Sequence, residues 1–153
     1  MEAEVVRLLK KKGLKICCVE SCTGGLLAAT LINVSGASAV IEQSYVTYSN
    51  EAKHKLVGVK KKTLKEHGAV SKKTAKEMAK GGAKAAGCPV CVSVTGVAGP
   101  DTEEGKPVGL VYVGIYYEND VTAYKLQLNG TRSEIRKKAV DKALSLIVKT
   151  VGQ

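Results

Sequence analysis

Apolar residues along the chain form short, nearly continuous runs separated by segments in which they recur every three or four positions. The runs predict five strands, at Leu14–Val19, Val40–Tyr48, Pro89–Thr95, Val108–Tyr117 and Val121–Leu128. The segments between most of these runs have the spacing of amphipathic helices. Because strands and helices interleave, we predict an α/β fold: a three-layer α/β/α sandwich with a mixed, mostly parallel five-stranded sheet.

Glycine and polar residues predict where the early helices begin and end. A first helix covers residues 2–12 and stops at Gly13, since glycine readily takes the left-handed conformation that ends helices. The second helix is expected to run to about Asn33. Asn50 is expected to cap a short helix that Gly58 ends.

Similar signals mark the later elements. Thr63–Glu66 and Thr131–Glu134 both have capping-box spacing, and Ser71 precedes a longer helix whose apolar face carries mainly small residues. Small residues on that face predict close packing against the sheet. Glu118–Asp120 separates the last two strands and predicts a β-hairpin. No linker interrupts the pattern, so residues 1–153 are expected to form a single domain.

The formal charge of +10 is concentrated in one segment. Residues 53–84 hold eleven lysines against two glutamates, whereas residues 85–131 hold five acids against two lysines. A basic face can attract nucleic acid or a small anion, but lysines every four residues opposite an apolar stripe are typical of a solvated helix face. Without Phe or Trp, base stacking would rest on tyrosines alone. Nucleic-acid binding is therefore the least favoured interpretation.

Cysteine use and hydropathy indicate the expected compartment. Five cysteines is an odd number, and Cys17 and Cys18 are neighbours in a predicted strand, which favours reduced thiols. The Cys88-x-x-Cys91 spacing occurs in metal and redox sites, but no second pair accompanies it and it enters a strand instead of opening a helix. With no bilayer-spanning run and no signal-peptide pattern, we expect a soluble, cytoplasmic protein with no membrane partner.

The turn around Ser21 is the first candidate for chemistry. It joins a predicted strand to a predicted helix, and Gly24 and Gly25 let a ligand approach the backbone closely. The opening amides of the helix are expected to be free to bind an anion or a developing oxyanion. Ser21 is then either a nucleophile whose oxyanion the amides of Cys22, Thr23 and Gly24 hold, or simply a helix cap.

A serine needs a base to become a nucleophile. Both histidines, His54 and His67, lie in helical segments among lysines, which makes a Ser-His-Asp triad a weak candidate. Lys53 can serve instead if burial and nearby positive potential lower its pKa from ~10.4 to ~7–8. Tyr48 could relay the proton or orient the serine, although a solvated lysine and a strand-end tyrosine remain open alternatives.

A second polar turn could bind phosphate. Thr95 to Pro100 offers a hydroxyl, backbone amides and two glycines after a strand, although no Gly-Lys-Ser/Thr follows as in a P-loop. Arg132 and Arg136 are four residues apart at the start of the last helix, so one side of that helix could hold an anion. Solvated arginines are the alternative. The turns that follow parallel strands meet at one edge of a sheet. This rule would bring together the Ser21 turn, the segment Tyr48 to Lys53 and the turn Thr95 to Pro100.

Five blocks of the sequence together resemble the C-terminal domain family of the competence-damage-inducible protein CinA. The resemblance runs in order from about residue 3 to residue 150. The blocks are Glu20–Gly25, Val46–Lys53, His67–Ser71, Thr95–Pro100 and Lys106–Gly109. The chain departs from the family pattern at Thr131, at Leu110 and in the loop Asp101–Gly105, all on the expected nucleotide-binding side.

The resemblance implies an α/β/α amidase that converts nicotinamide mononucleotide and water to nicotinic acid mononucleotide and ammonia in pyridine-nucleotide salvage. It implies Ser21 as nucleophile, Lys53 as base and Tyr48 as the partner of that base, with no metal or organic cofactor and with a homo-oligomeric assembly. The residues expected to contact the substrate are Cys22, Thr23, Gly24, Gln43, Thr95, Gly96 and Arg132. A non-catalytic module of the same fold that binds a phosphorylated ligand is the main alternative.

Overall fold

The computed structural model describes residues 1–153, and its helices and strands follow one another in the predicted order. The helices are α1 (Glu2–Lys12), α2 (Leu26–Ile32), α3 (Asn50–Val57), α4 (Lys61–His67), α5 (Lys72–Ala86) and α6 (Arg132–Val151), with a short 3-10 turn at Ala37–Ala39. The strands are β1 (Ile16–Glu20), β2 (Tyr45–Val46), β3 (Val90–Gly96), β4 (Leu110–Tyr117) and β5 (Asp120–Gln127). None of the helices has the length and apolar character needed to cross a bilayer.

The strands form one mixed sheet in the order β2-β1-β3-β4-β5. β1 pairs in parallel with β2 and β3, whereas β4 pairs antiparallel with β3 and β5. All strands except β4 therefore run in the same direction, which confirms the predicted mixed, mostly parallel sheet. Because β2, β1 and β3 are parallel neighbours, the turns that follow them meet at one edge of the sheet.

Helices cover both faces of the sheet and complete the three predicted layers. α1, α2 and α6 lie on one face, and α3, α4 and α5 lie on the other. Alternate residues of β1 serve the two cores, since Ile16 and Cys18 face the α6 side while Cys17 and Val19 face the α5 side. A Cβ atom at Gly82 of α5 would collide with the Val19 side chain, which confirms the close packing predicted for α5.

The strongest local signals are confirmed. The Thr131 hydroxyl accepts from the Glu134 amide while the Glu134 carboxylate accepts from the Thr131 amide, so both halves of the predicted capping box are present. Ser71 caps α5 with its side chain. The β4–β5 hairpin turns at Glu118 and Asn119, which have φ angles of 53° and 62°. Positive φ at both central residues is the geometry of the common two-residue hairpin.

Three local predictions are wrong in detail. The run Val40–Tyr48 forms a regular strand over only two residues, because β2 lies at the sheet edge and pairs only beside the end of β1. Ser49, not Asn50, caps α3. Thr63 lies inside α4 and caps nothing; its hydroxyl instead donates to a carboxylate oxygen of Glu77 at 2.6 Å.

Candidate active site

Ser21 follows β1 directly, and the residue before it sets the geometry of the turn. Glu20 is fully buried, and its carboxylate accepts from the amides of Leu27 and Ala28 at 2.8 and 3.0 Å. The prediction that the opening amides of α2 are free for an anion is therefore wrong, because a carboxylate of the chain already neutralises them. The interaction also ties the end of β1 to α2, which fixes where Ser21 begins its turn.

The backbone of the turn leaves two other amides available. The Ser21 amide donates to the Val94 carbonyl at 2.9 Å, and the Gly24 amide donates to the Ser21 carbonyl at 3.0 Å. Gly24 has a φ of 58°, which a glycine adopts without strain. The amides of Cys22 and Thr23 make no hydrogen bond to another residue. Of the three amides expected to hold an oxyanion, the Gly24 amide is thus occupied and the other two are free.

Lys53 reaches Ser21 from α3, on the opposite side of the turn. Its Nζ lies 2.8 Å from the Ser21 Oγ, 2.8 Å from the Thr47 carbonyl oxygen and 3.4 Å from the Tyr48 carbonyl oxygen. The Lys53 residue is only 1% exposed and Ser21 is 8% exposed. The prediction that these two residues meet is confirmed. We call Ser21, Lys53 and the Thr47 and Tyr48 carbonyls the buried corner.

Burial changes the protonation of this lysine. It lowers the pKa of the Lys53 ammonium to about 8, against the opposing attraction of the Glu104 and Glu103 carboxylates. Roughly a tenth of the lysine is then a neutral amine at pH 7, and about half at pH 8. Burial also raises the pKa of the Cys22 thiol to about 12, which keeps that neighbour neutral.

The phenol of Tyr48 is not part of the buried corner. The residue is 62% exposed, and its hydroxyl accepts from a guanidinium nitrogen of Arg132 at 3.1 Å. Only the backbone carbonyl of Tyr48 meets Ser21, at 3.5 Å from Oγ, and Lys53. The Tyr48 phenol therefore makes no hydrogen bond to Ser21 or Lys53, which the expected proton relay requires. Arg132 also donates to the Gly99 carbonyl at 2.6 Å, which fixes its guanidinium beside the Ser21 turn.

Ser21 opens into a cleft of about 60 Å³ at the shared edge of the parallel strands. The residues that line it are Ser21, Cys22, Tyr48, Gly96, Ala98, Glu103 and Arg132. We call its exposed side, formed by the Tyr48 phenol, Glu103 and Arg132, the cleft mouth. Gly96, Cys22 and Arg132 were expected at a site and do line the cleft.

Three other expected contacts lie elsewhere. Thr95 is 1% exposed, and its hydroxyl donates to the Ala69 carbonyl at 2.8 Å, so it cannot cradle a phosphate. Gln43 is exposed, bonds to the Tyr45 hydroxyl at 3.3 Å and does not line the cleft. The Thr23 side chain is fully buried, which leaves only its amide for a ligand.

Arg136 does not join Arg132 in an anion site. Its guanidinium donates from Nε to the Cys22 carbonyl at 3.0 Å and from a terminal nitrogen to the Thr23 carbonyl at 2.9 Å. The expectation that one side of α6 holds an anion with both arginines is wrong, because Arg136 binds the backbone of the turn instead. His54 is also engaged, since its Nδ1 lies 2.8 Å from the Val59 carbonyl oxygen.

No motif or spacing in the sequence pointed to Glu103 as a site residue. The loop that carries it is fastened by Glu104, whose carboxylate accepts from the Ala69 and Val70 amides at 2.8 and 3.2 Å. Lys106 adds a bond to the His67 carbonyl at 2.8 Å. The only advance signal was that His67–Ser71 and Lys106–Gly109 both resemble blocks of one family, and such a resemblance does not show that the two segments touch. The role of the Thr47 carbonyl could not be predicted either, because every residue has a backbone carbonyl and none is marked by the sequence.

Comparisons with known proteins agree with this architecture. The family model of the CinA C-terminal domain matches residues 1–151. A CinA-like protein of Kosmotoga olearia is 52% identical over 149 residues, which cover 96% of this chain and 36% of that protein. A competence-damage inducible protein of Clostridium kluyveri is 50% identical and is covered to the same 36%. The chain thus spans little more than a third of the length of these curated relatives.

Solved structures extend the match to the whole fold. The competence damage-inducible protein A (ComA) of Klebsiella pneumoniae has a TM-score of 0.97 at 33% identity, with 99% of this chain and 95% of that chain covered. The competence/damage inducible protein CihA of Agrobacterium tumefaciens has a TM-score of 0.91 at 37% identity, with 99% and 96% covered. Sequence and structure together show that the chain belongs to the CinA C-terminal domain family.

Proposed function

We propose that the protein is a Ser-Lys amidohydrolase that removes ammonia from the carboxamide of nicotinamide mononucleotide. The observation that carries the proposal is the 2.8 Å contact between Lys53 Nζ and Ser21 Oγ in a buried corner where the lysine pKa is about 8. A neutral amine has two N–H groups and one lone pair. With the N–H groups on the Thr47 and Tyr48 carbonyls, the lone pair faces the Ser21 hydroxyl.

This arrangement supports both halves of an acyl transfer. Ser21 Oγ attacks the carboxamide carbon while Lys53 takes the serine proton, and the Cys22 and Thr23 amides hold the oxyanion. As the C–N bond breaks, Lys53 returns the proton to the leaving nitrogen, which departs as ammonia. Water, deprotonated by Lys53, then attacks the ester on Ser21, and the carboxylate product leaves with the serine reprotonated. The lysine also has partners as an ammonium, because its three N–H groups then face the three oxygens of the buried corner.

The family resemblance and the charge at the cleft mouth bear on the identity of the substrate. The family resemblance suggests nicotinamide mononucleotide, and Arg132 at the cleft mouth supplies a guanidinium suited to its phosphate. A second candidate is a module that binds a phosphorylated ligand without turnover. The Tyr48 phenol favours it, because that hydroxyl bonds to Arg132 and not to the buried corner.

Ammonia release from nicotinamide mononucleotide, measured beside thermal stabilisation by the same compound, tests the proposal. We expect the wild-type protein to release ammonia and Ser21→Ala to lose at least about 10³-fold in kcat while still being stabilised by the nucleotide. Ser35→Ala, at an exposed serine of another turn, is the matched control. Full activity in Ser21→Ala would refute the nucleophile, and stabilisation of the wild type without ammonia would favour the binding module.

A further inference from the structure

The Arg136 guanidinium holds two consecutive carbonyls of the turn that follows the candidate nucleophile. It donates to the Cys22 carbonyl at 3.0 Å and to the Thr23 carbonyl at 2.9 Å. Arg136 is half-buried and has no carboxylate within ion-pairing distance. Its polar contacts are therefore with the backbone of the turn, and they orient two peptide groups.

Peptide geometry converts this contact into a direction for an amide. In a trans peptide the carbonyl of one residue and the N–H of the next point in opposite directions, and the Cys22–Thr23 peptide is trans. Because the Cys22 carbonyl points at Arg136, the Thr23 N–H points away from Arg136. The Ser21 carbonyl is likewise turned inward to the Gly24 amide, so the Cys22 N–H points out of the turn.

The Cys22 and Thr23 amides thus belong to peptides whose carbonyls are held in place, and neither amide donates a hydrogen bond to another residue. Successive unpartnered N–H groups form a concave site that binds anions. A tetrahedral intermediate on Ser21 would place its oxyanion next to such a site, where fixed donors typically contribute 10²–10³-fold to kcat.

We propose that Arg136 is a positioning residue for the oxyanion hole in acyl transfer to Ser21. It holds the Thr23 amide directly, through the Cys22 carbonyl, and the Cys22 amide indirectly, because the Thr23 carbonyl fixes the Gly24 amide that binds the Ser21 carbonyl. The inference rests on the proposed function and adds a residue that does not touch the substrate. Arginine suits the task better than lysine, because its rigid, planar fork fixes two carbonyls at once. Arg132, one turn earlier on α6, has a separate role at the cleft mouth.

Steady-state kinetics of Arg136→Lys and Arg136→Ala test the inference. We expect kcat to fall roughly 10–100-fold in Arg136→Ala and less in Arg136→Lys, with KM within about threefold of wild type, because the lost interaction acts only in the transition state. Lys137→Met, at an exposed neighbour on α6, is the control. Added guanidinium ion should restore part of the kcat of Arg136→Ala. A merely structural role would lower the active fraction without rescue by guanidinium.

A second substrate separates failure of this inference from failure of the proposed function. The acylation of Ser21 by p-nitrophenyl acetate, followed by release of p-nitrophenol, needs the oxyanion hole but not the nucleotide. We expect the acylation rate to fall in both Arg136 variants even if the natural carboxamide is a different one. Unchanged acylation and unchanged kcat in folded Arg136→Lys and Arg136→Ala would overturn the inference while leaving the amidase proposal intact.

Discussion

The buried corner and the cleft mouth lie side by side but satisfy their polar groups in different ways. In the buried corner, Lys53 is 1% exposed and each of its hydrogen-bond partners belongs to the protein. At the cleft mouth, Tyr48 is 62% exposed, Arg132 is exposed, and Glu103 faces the same opening. The polar groups of one region are buried and bonded to one another before any ligand arrives, whereas the other region is open to solvent.

The difference indicates a division of labour. Electrostatic interactions are strong where water is excluded and weak where it is not, so the buried corner is suited to lower a barrier. Exposed charges at the cleft mouth are screened, and they are suited to recruit and orient an anionic ligand. Changes in the buried corner should therefore alter kcat, and changes at the cleft mouth should alter KM.

Lys53→Met should give the largest effect. Methionine fills most of the buried space of the lysine chain but cannot accept a proton, so we expect kcat to fall roughly 10³-fold while the protein stays folded. Ammonia release and thermal unfolding should be measured on the same preparation. Lys55→Met, at an exposed position on α3, should behave as wild type. If Lys53→Met kept its activity, the buried corner would have no catalytic role.

Arg132→Met should give an intermediate effect of a different kind. Loss of the charge-assisted contact that we propose with the nucleotide phosphate should raise KM roughly 10–100-fold and leave kcat within a few-fold of wild type. Titration with a substrate lacking the phosphate should abolish the difference between variant and wild type. Lys142→Met, exposed on α6, serves as the control. A fall in kcat at constant KM would break the division between the two regions.

Glu103→Gln should give the smallest effect. Glu103 lies at the cleft mouth, but its charge acts on Lys53 in the buried corner. The Glu103 carboxylate raises the pKa of Lys53, so its removal should lower that pKa further. The neutral amine then appears at lower pH, and the rise of kcat/KM with pH should move to lower pH in the variant. Glu66→Gln, at an exposed position on α4, should leave the profile unchanged. A shift to higher pH would show that Glu103 acts on some other group.

Elements specified by neighbouring residues could be predicted from the sequence. The capping box of α6, the Ser71 cap and the turn at Glu118 and Asn119 each depend on residues within four positions of one another. The closeness of Ser21 and Lys53 could also be predicted, because parallel strands bring their carboxyl ends to one edge of the sheet.

What the sequence could not predict depends on contacts between distant residues. The Thr63 hydroxyl, expected to cap a helix, bonds to the Glu77 carboxylate instead. The Thr95 hydroxyl, expected to bind phosphate, bonds to the Ala69 carbonyl, 26 residues away. Glu20 occupied the α2 amides because burial of a carboxylate demands donors, a need that no local spacing records. Each polar group took the partner that folding brought near it, and only tertiary structure reveals which one that is.

The rate at which a sulfonyl fluoride labels the protein, followed across pH by peptide mass spectrometry, tests the pairing of Ser21 and Lys53 most directly and needs no assumption about the substrate. We predict a single modified residue, Ser21, with a labelling rate that rises with pH around a midpoint near 8 and is lost in Lys53→Met. Labelling at another residue, or a Ser21 profile unchanged by Lys53→Met, would contradict the account.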